Sequence, residues 1–180
     1  MRLWSWYTRL LSTYPLLTQA STAGVITMVG DIIAQQCIER KGIKNHKFGR
    51  SIKMGTIGLF FTGPVLRFWY IRLDKLVPGT PTLPRVVKRI ALDQAIFAPL
   101  FLASFFVLLA GVERKTRQEI WNKLKQNYYQ ALAANYMLWP AAQALTFSVV
   151  PLRHRVGFVS LVALIWNTYL AWVAHRYENY

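Results

Sequence analysis

Five long apolar stretches constrain this chain more than any other feature of its sequence. They cover residues 16–38, 54–66, 94–112, 128–150 and 156–174. The first contains one charged residue, Asp31, and the other four contain none. A helix needs about 20 residues to cross the hydrocarbon core of a bilayer, and most of these stretches are close to that length. The pattern predicts one integral membrane domain that spans residues 1–180.

The stretches are predicted to be helices, because their apolar residues do not alternate as they would in a strand. The expected fold class is therefore all-α: an integral membrane helical bundle of four to five spans with kinked helices. The second stretch is the weakest span, since Gly63-Pro64 interrupts it and Arg67 follows it. Four spans plus one re-entrant or interfacial segment is the alternative to five spans.

Residues 1–14 are predicted to form an amphipathic N-terminal helix. Apolar and aromatic residues recur at helical spacing on one face, Arg2 and Arg9 lie on the other, and no acidic residue is present. This pattern is typical of an interfacial helix that lies on a membrane surface, and also of mitochondrial targeting information. The two interpretations are compatible.

Positive charge is in large excess and lies between the apolar stretches. The chain has 22 Lys and Arg against 7 Asp and Glu, a formal net charge of +15. The long uncharged runs argue against direct nucleic-acid binding, which needs cations beside a water-soluble core. We instead expect the basic connections to contact membrane lipids, namely cardiolipin or another anionic lipid. Five spans would leave 10 cations on one side and 12 on the other, so the positive-inside rule gives no orientation.

Polar side chains within the apolar stretches are the predicted functional residues, because an ionisable group is costly inside a membrane. Asp31 and Gln35 share one helical face with Ala20, Gly24 and Thr27. The carboxylate is predicted either to line a pore or to pair with an arginine of a neighbouring helix. Helix packing is predicted at four small residues, which let another helix approach closely: Ala20, Gly24, Gly30 and Ala34.

A second group of polar residues is predicted to face the bundle interior. Arg89 and Asp93 are four residues apart, which favours an ion pair on one helix. Arg67 or Arg89 is expected to neutralise Asp31 and Asp93 if these carboxylates line a path. The remaining interior residues are Gln94, Asn135, Gln143 and Asn167.

Three prolines predict helix kinks: Pro64, Pro99 and Pro140. Each removes a backbone hydrogen bond from its helix. A kink beside polar groups suits a water-lined cavity, because the freed carbonyls need partners. The alternative is a kink that only helps packing.

No enzyme motif is present, so we expect no catalysis, no metal and no cofactor. The histidines are expected to be solvated or to contact head groups. Thr80 precedes a proline, the pattern of a proline-directed phosphorylation site, which makes it a candidate for regulation. Cys37 could sense redox state if it were exposed, but an inert buried thiol is the favoured interpretation.

Short segments in order along the chain resemble the Mpv-seventeen / twenty-two-kilodalton peroxisomal membrane protein family. They include Gly30-Asp31-Ile32-Ile33-Ala34-Gln35-Gln36, Gly63-Pro64, Asp93-Gln94, Leu138-Trp139-Pro140-Ala141, Val150-Pro151-Leu152 and Ile165-Trp166-Asn167. The resemblance is closest to the family's member in the mitochondrial inner membrane, which makes a peroxisomal location the weaker alternative. Arg67 and Thr146 depart from the family pattern, where His and Asn are common.

The resemblance implies a membrane protein, usually described with four spans, that forms a channel for small solutes. It also implies a link with mitochondrial DNA maintenance and inner-membrane homeostasis. Basic residues at the two openings of such a channel would raise the local concentration of nucleotides or other anionic metabolites. The alternative is a structural protein that binds cardiolipin and organises the inner membrane without a pore. Either protein could form a homo-oligomer.

Overall fold

A computed structural model describes residues 2–80, 82–148 and 155–176, and their side chains at 5–80, 82–145 and 158–176. Within these ranges the chain forms helices and no strand, which confirms the predicted all-α class. The amphipathic N-terminal segment is α1 (Arg2–Thr13). It is followed by α2 (Pro15–Ile33), which continues into a π-helical turn at Ala34–Ile38.

Two continuous helices follow, each with an internal π-helical turn. The first consists of α3 (Phe48–Ile57), a π turn at Gly58–Thr62 and α4 (Gly63–Leu76). The second consists of α5 (Leu83–Leu92), a π turn at Asp93–Phe97 and α6 (Ala98–Val112). A short 3₁₀ helix, Ile43–Asn45, lies in the connection before α3.

The last two helices are α7 (Arg117–Ser148) and α8 (Arg155–His175). Residues 113–127 mix charged residues with Ile120 and Leu124 at helical spacing, which predicts a short polar or interfacial helix. The helix there is not short, because α7 runs unbroken from Arg117. Apolar residues follow its polar first turns without a glycine or proline until Pro140, so nothing interrupts the hydrogen-bond ladder there.

In the part of the chain that the structure describes, the helices cross the molecule five times in alternating directions. Gly63 faces Ala20 near one end of α2, and Arg50 meets Asp31 near the other. The Asp74 end comprises the C-terminal end of α4 and the N-terminal ends of α2, α5 and α8. The Glu113 end comprises residues 39–47, residues 113–116 and the C-terminal end of α8.

Three of the described helices are long and apolar enough to cross a bilayer: Pro15–Ile38, Leu83–Val112 and Phe158–His175. The other two passes, α3–α4 and α7, are long enough but have more charged residues along their length. Five passes therefore correspond to the five apolar stretches of the sequence, while the number that lie within lipid stays a prediction.

Two of the three predicted kink sites follow a π turn directly. Pro64 and Pro99 lack the N–H that would donate to the carbonyl four residues earlier, and each ring would clash with that carbonyl. The preceding Gly63 and Ala98 N–H groups donate instead to Gly58 and Asp93, five residues earlier. The wider turn accommodates each ring without ending the helix. Pro140 lies inside α7.

Close helix contacts depend on the small residues of α2 and of its neighbours. A Cβ atom on Gly63 would lie 2.5 Å from the Cα of Ala20, and one on Gly30 would lie 2.9 Å from the Cβ of Asn167. Gly24 contacts Gly55 and Leu59 in the same way. The structure thus places these small residues against α3, α4 and α8.

The apolar core lies mainly between the middle of the bundle and the Glu113 end. Met54, Leu102, Phe105, Leu109 and Leu170 are almost completely buried there. Large apolar side chains are also exposed on the outer faces of the helices, as expected of a surface that contacts lipid.

Candidate functional site

Asp31 lies at the centre of a polar cluster buried near the Glu113 end. Arg50 Nε donates to one carboxylate oxygen at 2.6 Å. The Gln35 amide and the Ser51 hydroxyl donate to the other oxygen, at 2.8 and 2.7 Å. Asp31 and Gln35 are fully buried, and these contacts join α2 to α3. With Glu39, these four residues are called the buried polar cluster.

Glu39 completes the coordination of the Arg50 guanidinium. Its two carboxylate oxygens accept from Nη1 at 3.0 Å and from Nη2 at 2.6 Å, a bidentate geometry. Burial alone would raise the pKa of Glu39, but the hydrogen bonds from Arg50 and Lys41 lower it below its usual value. Arg50 therefore neutralises two carboxylates at once, while Lys41 adds a second cation beside Glu39.

His46 forms a second layer around this cluster. The Gln36 amide donates to His46 Nδ1 at 2.9 Å, which leaves the ring proton on Nε2, 3.2 Å from Ser51 Oγ. Ser51 then donates to Asp31. This order differs from a catalytic triad, in which the histidine lies between the serine and the carboxylate. The geometry fits a structural network better than an activated nucleophile.

Two predicted ion pairs are wrong. Arg50, and not Arg67 or Arg89, neutralises Asp31. Arg89 pairs with Asp74 at 2.9 Å and donates to the Val77 carbonyl at 2.8 Å, rather than pairing with Asp93. Side chains on a helix lean towards its N-terminus, so Arg89 extends away from Asp93 and towards the carbonyls at the end of α4.

Asp93 is the centre of a second hydrogen-bond chain. Trp69 Nε1 donates to one carboxylate oxygen at 2.7 Å, and the Gln94 amide donates to the other at 3.0 Å. The Gln94 carbonyl in turn accepts from Asn135 Nδ2 at 2.9 Å. This chain links α4, the π turn at Asp93–Phe97 and α7. Among the described side chains, no cation bonds to Asp93.

Three adjoining cavities lie between the helices, on the Asp74 side of the apolar core. The outer cavity, about 380 Å³, extends from Asp74 and Arg89 to Asp93. The inner cavity, about 220 Å³, is lined by polar groups that include Asn135. A third cavity of about 470 Å³ lies beneath α1. Tyr70 lines all three, and together they are called the vestibule.

The vestibule brings together six of the predicted interior residues: Arg67, Arg89, Asp93, Asn135, Gln143 and Asn167. Gln143 Oε1 is buried and has no hydrogen-bond partner among the described residues. Asn167 accepts from Thr27 Oγ1 at 3.2 Å and donates to the Ala163 carbonyl at 2.7 Å. Asp31 lines none of these three cavities, and its pairing with Arg50 of α3 matches the predicted alternative, an ion pair with an arginine of a neighbouring helix.

Apolar residues separate the vestibule from the Glu113 end. Phe105 and Leu170 line the inner cavity and are almost completely buried. Met54, Leu102 and Leu109 belong to the same core cluster, and the buried polar cluster lies near it. The polar lining thus ends at an apolar layer partway through the bundle.

At the Glu113 end, the carboxylate of Glu113 joins α6, α7 and α8. It accepts from Lys123 at 2.8 Å and contacts His175 Nε2 at 3.0 Å. Burial raises its pKa, but the hydrogen bonds with His175 and Lys123 lower it overall to about 2. His175 is almost fully buried, so the prediction of a solvated histidine is wrong for this residue. His154 lies outside the described residues.

The two predicted regulatory residues are both exposed. Thr80 lies in the connection between α4 and α5, and its carbonyl accepts from Arg85 at 3.0 Å. The expectation of a buried thiol at Cys37 is wrong. Within the described part of the chain, no three His, Cys, Asp or Glu residues come close enough to hold one metal ion. Residues 150–152 and the side chain of Thr146 lie outside the described portion.

Arg50, Ser51, Glu39 and Trp69 were not identified from the sequence as site residues. Arg50 counted only as one charge of a basic connection. Its spacing from Met54 and Ile57 is a usable signal, because steps of four and three residues put it on the buried face of α3. No comparable local pattern indicates Trp69.

Comparison with known proteins gives matches over nearly the whole chain. It is 45% identical to the mitochondrial inner membrane protein Mpv17 of Homo sapiens, over 98% of this chain and 99% of that protein. The same protein of Xenopus laevis is also 45% identical, over 97% and 98%. Protein sym-1 of Neurospora crassa is 42% identical, over 94% and 97%.

No solved structure matches the chain. Residues 110–171 match the Mpv17 / PMP22 family itself. The relatives carry the assignment beyond that segment, because each of those named aligns with 94% or more of this chain. The chain is therefore a mitochondrial inner-membrane member of the Mpv17 / PMP22 family.

Proposed function

We propose that the chain is a channel-like protein that passes small solutes across the mitochondrial inner membrane. The observation that carries the proposal is the vestibule, where Asp93, Asn135 and Asn167 lie deep among apolar helices. Polar groups at such a depth typically line ligand sites or water-filled cavities. The apolar layer at Phe105 and Leu170 corresponds to a closed conformation, and conduction requires that layer to separate.

The distribution of charged residues favours small anions as the solutes. The attraction for anions arises at the two ends of the bundle rather than inside the vestibule. Within its lining, Arg67 and Arg89 balance Asp74 and Asp93. Many of the 22 Lys and Arg, against 7 Asp and Glu, lie in the connections or in the helix turns beside them at the two ends, where they raise the local concentration of anions. Nucleotides and other anionic metabolites fit this arrangement, and their passage would support mitochondrial DNA maintenance and membrane homeostasis.

We also infer that the chain is not an enzyme. The candidate that comes nearest to an active site is Ser51, with His46 and Asp31 beside it. Its hydroxyl donates to the carboxylate and is almost fully buried, so it is neither activated by the histidine nor accessible.

The test is solute flux through purified protein in liposomes of defined composition, with and without cardiolipin. Ala163 lines the inner cavity, and Ala163→Trp should fill that space and reduce flux several-fold. Leu161→Trp is the matched control, since this residue of the same helix is exposed on its outer face. Equal flux in the two variants would place the path outside the vestibule.

The second candidate is a structural protein that binds cardiolipin without forming a pore. The exposed cations near the Glu113 end favour it, because anionic lipid attracts basic groups at a membrane surface. It predicts co-purified anionic lipid and no conductance above that of protein-free liposomes. A homo-oligomer is compatible with both functions and stays a prediction.

A further inference from the structure

A second pocket opens at the Glu113 end, on the far side of the apolar core from the vestibule. Its volume is about 330 Å³. The first turns of α3, the connection between α6 and α7, and the end of α8 provide its walls. Its lining includes Lys47, Gly49, Lys53, Glu113, Lys115 and His175, and it is called the basic pocket.

Lys47 and Lys53 provide the uncompensated charge of this pocket. Arg50 also lines it, but its guanidinium is bonded to Asp31 and Glu39. The Glu113 carboxylate is already paired with Lys123 and His175. Among the described side chains, no carboxylate pairs with the ammonium groups of Lys47 and Lys53, which are both exposed.

The backbone leaves room for a ligand beside these cations. A Cβ atom on Gly49 would meet no atom within 4 Å. Gly49 lies in the first turn of α3, where the N–H groups of Phe48, Arg50 and Ser51 already donate to the carbonyls of His46 and Lys47. The space beside Gly49 therefore admits a ligand, while the lysines provide the attraction for an anion.

The position of the pocket favours a lipid phosphate over a soluble one. The helices Pro15–Ile38, Leu83–Val112 and Phe158–His175 are long and apolar enough to cross a bilayer, and all three end at this level. The ends of membrane-spanning helices lie among lipid head groups. An exposed strip also leads from Lys53 towards the middle of the bundle. Ile52 is 62% exposed and Phe60 is 74% exposed along it, which provides a surface for an acyl chain.

We propose that the basic pocket binds the phosphate of an anionic phospholipid, with an acyl chain lying along Ile52 and Phe60. This proposal refines the second candidate function and rests on its premise that the chain binds anionic lipid. It is independent of conduction, because the pocket and the vestibule lie on opposite sides of the apolar core.

The experiment measures lipid bound to the purified full-length chain in detergent by native mass spectrometry. The probes are tetraoleoyl cardiolipin, dioleoylphosphatidylcholine and inorganic phosphate, each titrated at the same concentrations. The test variant is Lys47→Gln with Lys53→Gln, and Lys47→Arg with Lys53→Arg keeps both charges. Lys44→Gln with Lys125→Gln is the matched control, because it removes two cations at the same end but outside the pocket.

We expect the Gln pair at Lys47 and Lys53 to reduce cardiolipin affinity by roughly tenfold or more, since each cation near a lipid head group contributes measurably. The Arg pair and the control should retain binding. An equal loss in the control would overturn the pocket while leaving anionic lipid binding as a property of the whole basic surface. Absence of cardiolipin binding to the unchanged protein would overturn the second candidate function together with the pocket. Equally tight binding of inorganic phosphate would overturn the lipid assignment.

Discussion

Arg50 Nε lies 2.6 Å from Asp31 Oδ1, and this ion pair joins α3 to α2. The Asp31 carboxylate is fully buried. Removing one partner of a buried ion pair is far more destabilising than removing an exposed charge, because the other partner is left uncompensated in a low-dielectric surrounding. Here Arg50 serves two carboxylates, so its loss would strand Asp31 and weaken the neutralisation of Glu39.

Arg50→Gln is therefore expected to lower the free energy of unfolding by about 3–5 kcal/mol. Thermal unfolding in detergent measures the change. Arg117→Gln, which removes an exposed arginine, should alter stability by no more than about 0.5 kcal/mol. Adding Asp31→Asn to Arg50→Gln should restore part of the loss. If Arg50→Gln and Arg117→Gln were equally stable, a structural role for the ion pair between Arg50 and Asp31 would be contradicted.

Replacement of Gly63 by alanine should destabilise the bundle. Its new Cβ would lie 2.5 Å from the Cα of Ala20, and backbone cannot move aside as a flexible side chain can. We expect a loss of about 1–3 kcal/mol in the free energy of unfolding, measured by the same thermal assay.

Gly111 provides the matched control for that substitution. It lies in α6, and a Cβ there would meet no atom within 4 Å. Gly111→Ala should be neutral or stabilising by up to about 1 kcal/mol, because alanine favours a helix over glycine. If both alanine variants behave alike, the contact between Gly63 and Ala20 does not limit helix packing.

Asp93→Asn should shift the ion selectivity of the reconstituted protein towards anions. The substitution removes one negative charge from the vestibule while the amide can still accept from Trp69. Reversal potentials in salt gradients across planar bilayers report the anion-to-cation permeability ratio. Glu119→Gln removes an equal charge from an exposed site on α7 and should leave that ratio nearly unchanged. No shift in Asp93→Asn would remove Asp93 from the conduction path.

Glu113 should make stability depend on pH in the acid range. Its pKa is about 2 in the folded protein, against an ordinary value of 4.5, so the folded state favours the ionised form. The stabilisation is present above about pH 4.5 and is lost as the pH falls towards about 2. Thermal unfolding of the unchanged protein and of Glu113→Gln should differ most near neutral pH and converge over that range. A constant difference at all pH values would contradict this linkage.

Features that depend on local spacing could be predicted from the sequence. The helical period places Thr27, Asp31 and Gln35 on one face, and the structure buries all three. The five uncharged runs also indicate where the five passes lie, although α3–α4 and α7 extend beyond their runs into charged segments. Local rules also identified Pro64 and Pro99 as sites of irregular backbone, although the π turns before them were not predicted.

Ion-pair and hydrogen-bond partners that come from different helices could not be predicted from local spacing. Spacing alone favours Arg89 with Asp93, but the fold offers Arg89 a carboxylate and a carbonyl from α4 instead. The contact between Asp31 and Arg50 crosses a connection whose path no sequence pattern specifies. His175 was misassigned for the same reason, because its partner Glu113 lies 62 residues away.

The position of α1 ties the amphipathic N-terminal segment to the rest of the bundle. Tyr7 of this helix contacts Thr22 and forms part of the wall of the third cavity. Removing this side chain would open the cavity on the side of Thr22. The amphipathic helix predicted for the membrane surface therefore also closes one side of the bundle, so that a change in how it rests on the lipid would alter the shape of the space beneath it.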